Sequence, residues 1–143
     1  MEKGRIGLYT LLIVDDEEIE REGMAQFIPW DSYEMKVVST ARNGAEGLEK
    51  IAKYRPDLAI VDIKMPVMNG IEMIRQAREQ YPDMTFVVLS GYGDYEFTSQ
   101  AMELGVRHYI LKPCDEGKMI PVLNKAIAEL DEARAQNAHS AKL

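Results

Sequence analysis

Three acidic residues stand where apolar runs of the sequence stop. Asp15 and Asp16 follow the run at residues 11–14, and Asp62 ends the run at residues 58–61. Such runs are typical of buried strands in parallel α/β sheets, where ligands bind beyond the carboxyl ends of the strands. We therefore predict that the three carboxylates face one crevice.

A lysine and a serine end two further apolar runs. Lys112 follows residues 108–111 and precedes Pro113, and Ser90 follows residues 86–89. Carboxylates in close contact repel one another unless a cation or an ammonium group lies near them. An all-oxygen cluster suits a hard ion such as Mg²⁺, which is typically held by one or two carboxylates and a phosphate. The four strand ends thus offer cation ligands, an ammonium group and a hydroxyl.

The elements that must position these groups alternate along the chain, as in βαβ units of a parallel sheet covered on both faces. The patterns predict strands near residues 9–14, 35–41, 58–62, 85–90 and 107–111, and helices near residues 17–28, 44–53, 70–80, 94–104 and 116–135. Asn43, Asn69 and Asp115 favour helix starts, and Gly105 favours a helix end. Pro121 predicts a delayed or kinked start of the fifth helix.

Four tracts in this order resemble the receiver domains of two-component response regulators. They are VDDE at residues 14–17, VDIKMP at 61–66 followed by MNG at 68–70, LSGY at 89–92, and YILKP at 109–113. The tract SGYGDYEF at 90–97, with Pro29 and Trp30, is most similar to receivers of regulators that carry an AraC-type DNA-binding domain.

The resemblance implies a flavodoxin-like (βα)5 fold, an α/β three-layer sandwich whose parallel sheet has strand order 2-1-3-4-5. We expect an N-terminal extension at residues 1–8, the receiver domain at 9–135, and a linker or disordered tail at 136–143.

The same resemblance implies roles for the site residues. Asp62 is expected to accept a phosphoryl group, and Lys112 to pair with Asp62 before transfer and with a phosphoryl oxygen afterwards. Mg²⁺ is expected to be bound by Asp15, Asp16, Asp62 and the backbone carbonyl of Lys64.

Four further expectations follow from the resemblance. Ser90 and Tyr109 are the expected switch pair, and the Lys112–Pro113 peptide bond is expected to be cis. Lys64 and Tyr92 are expected to flank the approach of the hydrolytic water. Neither is suited to orient that water, so we predict a long-lived phosphoform, unless both side chains point to solvent.

The implied partner is a sensor histidine kinase, which donates the phosphoryl group. The chain is expected to catalyse its own Mg²⁺-dependent phosphorylation and autodephosphorylation without being a turnover enzyme. Phosphorylation is expected to cause homodimerisation through the fourth helix, the fifth strand and the fifth helix, and thereby to switch an output such as transcription.

Composition limits the other functions. The 17 basic and 24 acidic residues give a net charge of −7 and a pI near 4.9, which argues against direct nucleic-acid binding by this portion. The single cysteine, Cys114, fits a reducing cytoplasm. The apolar tract near the N-terminus ends in acids, not at a signal-peptide cleavage site, and no stretch approaches the ~20 apolar residues that span a bilayer. We expect a cytoplasmic protein with no membrane partner.

Other interpretations of these residues were open. An aspartate-nucleophile phosphohydrolase needs a second acid two residues after the nucleophile, where this chain has Lys64. A flavodoxin-like electron carrier needs a phosphate loop after the first strand, where this chain has only Asp15, Asp16 and Glu17. A phosphorylation-independent receiver-like interaction module remains the serious alternative. Glu17 and Glu18 are interpreted as a helix start, and His108 and His139 as surface residues.

Overall fold

A computed structural model describes residues 8–142, with side chains described for residues 8–136. Five parallel strands form one sheet in the order β2-β1-β3-β4-β5. The strands are β1 Tyr9–Val14, β2 Met35–Ala41, β3 Leu58–Asp62, β4 Thr85–Ser90 and β5 His108–Leu111. The helices are α1 Glu18–Phe27, α2 Gly44–Tyr54, α3 Gly70–Gln80, α4 Tyr95–Glu103 and α5 Glu116–Lys142. The predicted flavodoxin-like α/β fold is confirmed.

The sheet separates two hydrophobic cores. Successive side chains of a strand point to opposite faces, and β1 shows the consequence. Leu12 and Val14 pack in the cluster that also holds residues of α2, α3 and α4, whereas Leu11 and Ile13 pack with residues of α1 and α5. Burial on both faces therefore fixes the register of the strand, and with it the position of the acids that follow.

Three helices start at the capping residues that the sequence predicted. In each case a side-chain oxygen accepts a hydrogen bond from the backbone N–H three residues later: Asn43 from Glu46, Asn69 from Glu72 and Asp115 from Lys118. Each cap follows a strand, so it sets the start of its helix at the carboxyl edge of the sheet, where the acids lie.

The connection between α1 and β2 adds an element that was not predicted. It is a 3₁₀ helix, Trp30–Tyr33. The buried Trp30 donates its indole N–H to the carbonyl of Met24 at 2.9 Å. Trp30 thus lies before β2, at the amino edge of the sheet.

The structure differs from two predictions about α5. The helix runs to Lys142, beyond the predicted end at residue 135, and covers residues that were expected to form a linker or disordered tail. Its start is not delayed by Pro121, which lies inside the helix, and the alternative of a kink at Pro121 stays a prediction.

The surface position predicted for His108 was also wrong. His108 is buried, because β5 presents it to α5, where its Nε2 lies 3.1 Å from an oxygen of Glu129. The histidine therefore belongs to the packing of α5 on the sheet.

Several expectations fall outside the described residues. These are the extension at residues 1–7, the side chain of His139 and the last residue, 143. Within the described part of the chain, no helix is both long enough and apolar enough to cross a membrane.

Candidate functional site

The register of the sheet brings the predicted residues to one edge. Asp62 is paired with Leu89 across β3 and β4, and Ser90 is paired with Leu111 across β4 and β5. The backbone N–H of Lys112 donates to the carbonyl of Ser90 at 2.7 Å, which continues this pairing one residue beyond β5. The carboxylate, the hydroxyl and the ammonium residue therefore leave adjacent strands side by side.

Asp62 and Lys112 form an ion pair at the centre of this edge. The Lys112 ammonium donates to Oδ2 of Asp62 at 3.1 Å, and Asp62 is only 3% exposed. Burial lowers the pKa of Lys112, but the charge and hydrogen bond of Asp62 and the charge of Glu20 raise it by more, so the pKa of Lys112 is raised overall. Lys112 therefore stays a cation beside the carboxylate.

The two buried acids of the cluster resist ionisation. Burial raises the pKa of Asp62, and Lys112 offsets only part of that effect. The pKa of Asp15 rises from 3.8 to about 7, chiefly because of burial. The hydrogen bond from Glu17 opposes that rise, while the charges of Asp62 and Glu20 add to it. The site thus has too little positive charge to keep all of its acids ionised.

The arrangement of the acids fits a hard cation. Asp15, Asp16 and Asp62 can each offer an oxygen such that all three oxygens lie within 4.8 Å of one another. Oδ2 of Asp15 is buried and has no hydrogen-bond partner among the described residues. A buried, unpaired carboxylate oxygen is unfavourable without a ligand, and Mg²⁺ prefers oxygen ligands. These residues therefore fit the Mg²⁺ that the resemblance implies.

A buried arginine that the sequence analysis missed fixes the loop carrying Asp15. Arg21 lies on α1 and donates from its guanidinium to the backbone carbonyl of Asp15 at 3.0 Å. Its neighbour Glu20 lies 3.9 Å from the Lys112 ammonium. Both residues follow the acids by about one helical turn, but charged residues on a helix usually face solvent, so no pattern marked them.

A second missed residue, Asp94, lies in the loop between β4 and α4. Its Oδ2 accepts from the backbone N–H of Gly91 at 2.7 Å, and its Oδ1 lies 3.1 Å from the Lys64 ammonium. The hydrogen bond from Gly91 and the charge of Lys64 hold the pKa of Asp94 below its usual range. An aspartate that follows glycines at positions 91 and 93 is a turn signal, but nothing in the sequence pairs it with Lys64.

Gly70 lets the start of α3 approach the end of β3. A Cβ atom at this position would lie 2.4 Å from the backbone oxygen of Asp62. The backbone N–H of Gly70 donates to the carbonyl of Ile63 at 2.9 Å. A larger residue would push the helix away from the strand that carries Asp62, so glycine is needed here for close approach.

The remaining predicted residues occupy different surroundings. Ser90 is buried, and Tyr109 donates its hydroxyl to the carbonyl of Val106 at 2.9 Å while its ring packs against the core on the α3 side. The Lys112–Pro113 peptide bond is cis, as predicted. The side chain of Tyr92 is 84% exposed, which matches the alternative in which it points to solvent.

Comparison with known proteins assigns the family. Residues 11–124 match the response regulator receiver domain. The chain is 42% identical over 135 residues to the uncharacterized transcriptional regulatory protein YesN of Bacillus subtilis, covering 94% of this chain and 36% of that protein. It is 35% identical over 133 residues to the transcriptional regulatory protein HptR of Staphylococcus aureus, covering 93% of this chain and 52% of that protein. The chain thus spans about half or less of these relatives.

Two solved structures show the same fold. The REC domain of AraT, a response regulator from Geobacillus stearothermophilus, is 35% identical, with a TM-score of 0.75 and coverage of 92% of this chain and 98% of that one. The two component transcriptional regulator AraC from Clostridium phytofermentans is 29% identical, with a TM-score of 0.81 and coverage of 89% and 98%. The chain belongs to the receiver domains of two-component response regulators and is similar to receivers of AraC-type regulators.

Proposed function

We propose that Asp62 accepts a phosphoryl group from a sensor histidine kinase and that phosphorylation switches an output. One observation carries this proposal. The Lys112 ammonium lies 3.1 Å from a buried oxygen of Asp62, next to Asp15, whose Oδ2 is buried without a partner among the described residues. A structural cluster would satisfy all of its oxygens, whereas this one is prepared for further ligands.

Each residue has a distinct part in the transfer. An oxygen of Asp62 attacks phosphorus, the new P–O bond forms as the P–N bond to the donor histidine breaks, and the released imidazole takes up a proton from solvent. Lys112 favours the ionised form of Asp62 before the attack and then pairs with a phosphoryl oxygen. The chain thereby catalyses its own phosphorylation, and later its autodephosphorylation, without turning over a substrate.

The cation site belongs to the same proposal. Asp15, Asp16 and Asp62, with the backbone carbonyl of Lys64, would hold Mg²⁺. When bound, Mg²⁺ offsets the charge of the acids and of the phosphoryl oxygens.

A groove beside Lys112 is a surface from which a kinase could reach Asp62. It lies between α1 and the start of α5 and has a volume of about 270 Å³. Its lining is mainly apolar and includes Ile19, Met24, Pro113 and Met119. Ile19 is largely exposed, which suits contact with a partner protein.

The switch would connect the site to the surface formed by α4, β5 and α5. Ser90 moves toward the phosphoryl group, and Tyr109 turns into the space that Ser90 leaves. Met102 on α4 and Leu111 on β5 are exposed apolar side chains on this surface. They support phosphorylation-dependent homodimerisation through it.

The relatives of this chain and its net charge support a proposal for the output that phosphorylation controls. YesN and HptR are longer than this chain, and the chain is similar to a two component transcriptional regulator AraC, so we infer that a transcriptional output domain of the AraC type receives the signal. The receiver portion, 9–135, has no part in direct nucleic-acid binding, given a net charge of −7 for the chain. The proposed setting is the cytoplasm.

Chemical phosphorylation tests the proposal. With Mg²⁺ and acetyl phosphate the protein should gain one phosphate, labile to hydroxylamine, and Asp62→Asn should gain none. Asp83→Asn is the matched control, because Asp83 is an exposed acid before β4, at the opposite edge of the sheet. Equal labelling of Asp62→Asn would contradict the assignment. No labelling of the wild type, together with a constitutive dimer, would favour the phosphorylation-independent interaction module.

A further inference from the structure

An ion pair joins the two loops that leave β3 and β4. Lys64 lies two residues after Asp62, and Asp94 lies four residues after Ser90. The Lys64 ammonium is 3.1 Å from Oδ1 of Asp94. The pair therefore links the loop that follows the phosphoacceptor to the loop that follows the switch serine.

The two partners differ in freedom. Asp94 is buried, and its second oxygen accepts from the backbone N–H of Gly91 at 2.7 Å, so this carboxylate is held in place. The Lys64 side chain is 63% exposed and carries its ammonium on a flexible four-carbon stem. Asp94 is thus the fixed partner, and Lys64 is the group that can turn elsewhere.

Phosphorylation would offer Lys64 a stronger partner. A phosphoryl group carries roughly −1.5 to −2 charges near neutral pH, and on Asp62 it replaces the single negative charge of the carboxylate. The Lys112 ammonium, which contacts Asp62, also helps to lower the pKa of Asp94. The same cation therefore acts on both carboxylates. An anion on Asp62 therefore competes with Asp94 for the Lys64 ammonium.

We propose that Asp94 is a positioning residue that restrains phosphorylation, because it holds the Lys64 ammonium away from the incoming phosphoryl group. This inference rests on the proposed function of Asp62. Asp94 acts in two ways: it withholds a cation from the developing negative charge, and it fixes the Gly91 end of the loop that must move with Ser90. Only the first effect depends on Lys64.

The test replaces Asp94 with asparagine and measures the initial rate of labelling by phosphoramidate with Mg²⁺. The amide oxygen can still accept from Gly91, so the loop hydrogen bond is kept while the charge is lost. We expect labelling to be roughly two- to fivefold faster than in the wild type, the range that an ion pair with a solvent-exposed lysine can supply. Asp83→Asn, with the same change of charge at the opposite edge of the sheet, should leave the rate unchanged.

The decisive comparison repeats the Asp94→Asn substitution in a Lys64→Met background. There the acceleration should disappear, because no ammonium remains to be released. In the chain with Lys64, the acceleration should shrink at high ionic strength, which screens the charge of the exposed Lys64 ammonium. A purely structural role of Asp94 would show neither effect.

The outcomes separate the two proposals. The role of Asp94 would be overturned if Asp94→Asn left the rate unchanged or slower, or if it accelerated labelling equally in the chain with Lys64 and in the Lys64→Met background. Wild type that is not labelled at all, or Asp62→Asn that is labelled normally, would instead overturn the proposed function. Normal Asp62-dependent labelling without any effect of Asp94 refutes only the positioning role.

Discussion

The two edges of the sheet hold their carboxylates in opposite states. At the amino edge, Oδ2 of Asp57 accepts from the backbone N–H of Thr10 at 2.8 Å and from its hydroxyl at 3.1 Å. Oδ1 of Asp57 accepts from the Arg134 guanidinium at 2.5 Å. Both oxygens are thus satisfied, and together they tie β1, the loop before β3 and α5.

At the carboxyl edge, the acids are crowded and incompletely paired. Asp15 has one oxygen without a partner among the described residues and a pKa of about 7, chiefly because of burial. Asp62 shares the ammonium of Lys112 with Glu20. A carboxylate that is fully hydrogen bonded supports the fold, whereas one that is buried and unsatisfied is available for a ligand.

The largest difference between the two edges should appear when Asp57 is removed. Asp57→Ala should lower the free energy of unfolding by about 2–3 kcal/mol, because Thr10 loses its acceptor and Arg134 loses its partner. Urea denaturation measures this change, with Asp83→Ala as the exposed control. The rate of phosphorylation per folded molecule should be unaffected, and a stability equal to that of the control would show that the amino-edge network is not structural.

Replacing a buried acid at the carboxyl edge should instead raise the free energy of unfolding. The folded-state pKa of Asp15, about 7, lies above its ordinary value of 3.8. The folded protein therefore binds more protons than the unfolded chain between these pH values, and its stability falls as pH rises through that window.

We expect Asp15→Asn to be more stable than the wild type at pH 8 by roughly 1–2 kcal/mol when divalent ions are chelated. The difference should vanish near pH 3, where the carboxyl group is protonated in both states. Denaturant titrations across this pH range provide the measurement. A wild type that gains stability from pH 4 to 7 relative to Asp15→Asn would be incompatible with an unsatisfied, buried acid.

The smallest expected effect concerns the backbone of the same two edges. At the amino edge, Glu34 and Arg55 have positive φ values, 61° and 46°, at the ends of helices. At the carboxyl edge the positive φ of 68° falls on Val67, a β-branched residue for which this conformation is strained.

Val67→Gly should therefore raise the free energy of unfolding by about 1 kcal/mol, since relief of strain exceeds the extra entropy of the unfolded chain. Arg55→Gly should give a smaller gain or none, because arginine is not β-branched and is less strained than valine at a positive φ. Thermal unfolding of both variants makes the comparison. A loss of stability in Val67→Gly would show that the loop is not strained at this residue.

The sequence was sufficient for the features that depend on neighbouring residues. Strand positions followed from apolar runs, and the starts of three helices followed from Asn43, Asn69 and Asp115, which bind N–H groups three residues away. One contact between distant residues was also predictable: Asp62 and Lys112, 50 residues apart, approach each other because parallel strands end at one edge of the sheet.

Other contacts between distant residues, which do not lie at the ends of adjacent strands, were not predictable in this way. His108 is buried because Glu129, 21 residues later, reaches it from α5. Arg134 on α5 is bound by Asp57, 77 residues earlier in the chain, and nothing near either residue marks this contact. Asp94 resembles an ordinary turn residue until Lys64 is seen beside it. No local pattern encodes such pairings.

The most direct test of the difference between the two edges is Mg²⁺ binding followed by thermal unfolding. Mg²⁺ should raise the melting temperature of the wild type, because the ion binds the folded state and not the unfolded chain. The control Asp31→Asn/Asp83→Asn, which removes two exposed acids from the amino side, should respond equally. We expect Asp15→Asn/Asp16→Asn to show no rise. A rise in that variant equal to that of the wild type would contradict the account, because the cation would then bind elsewhere.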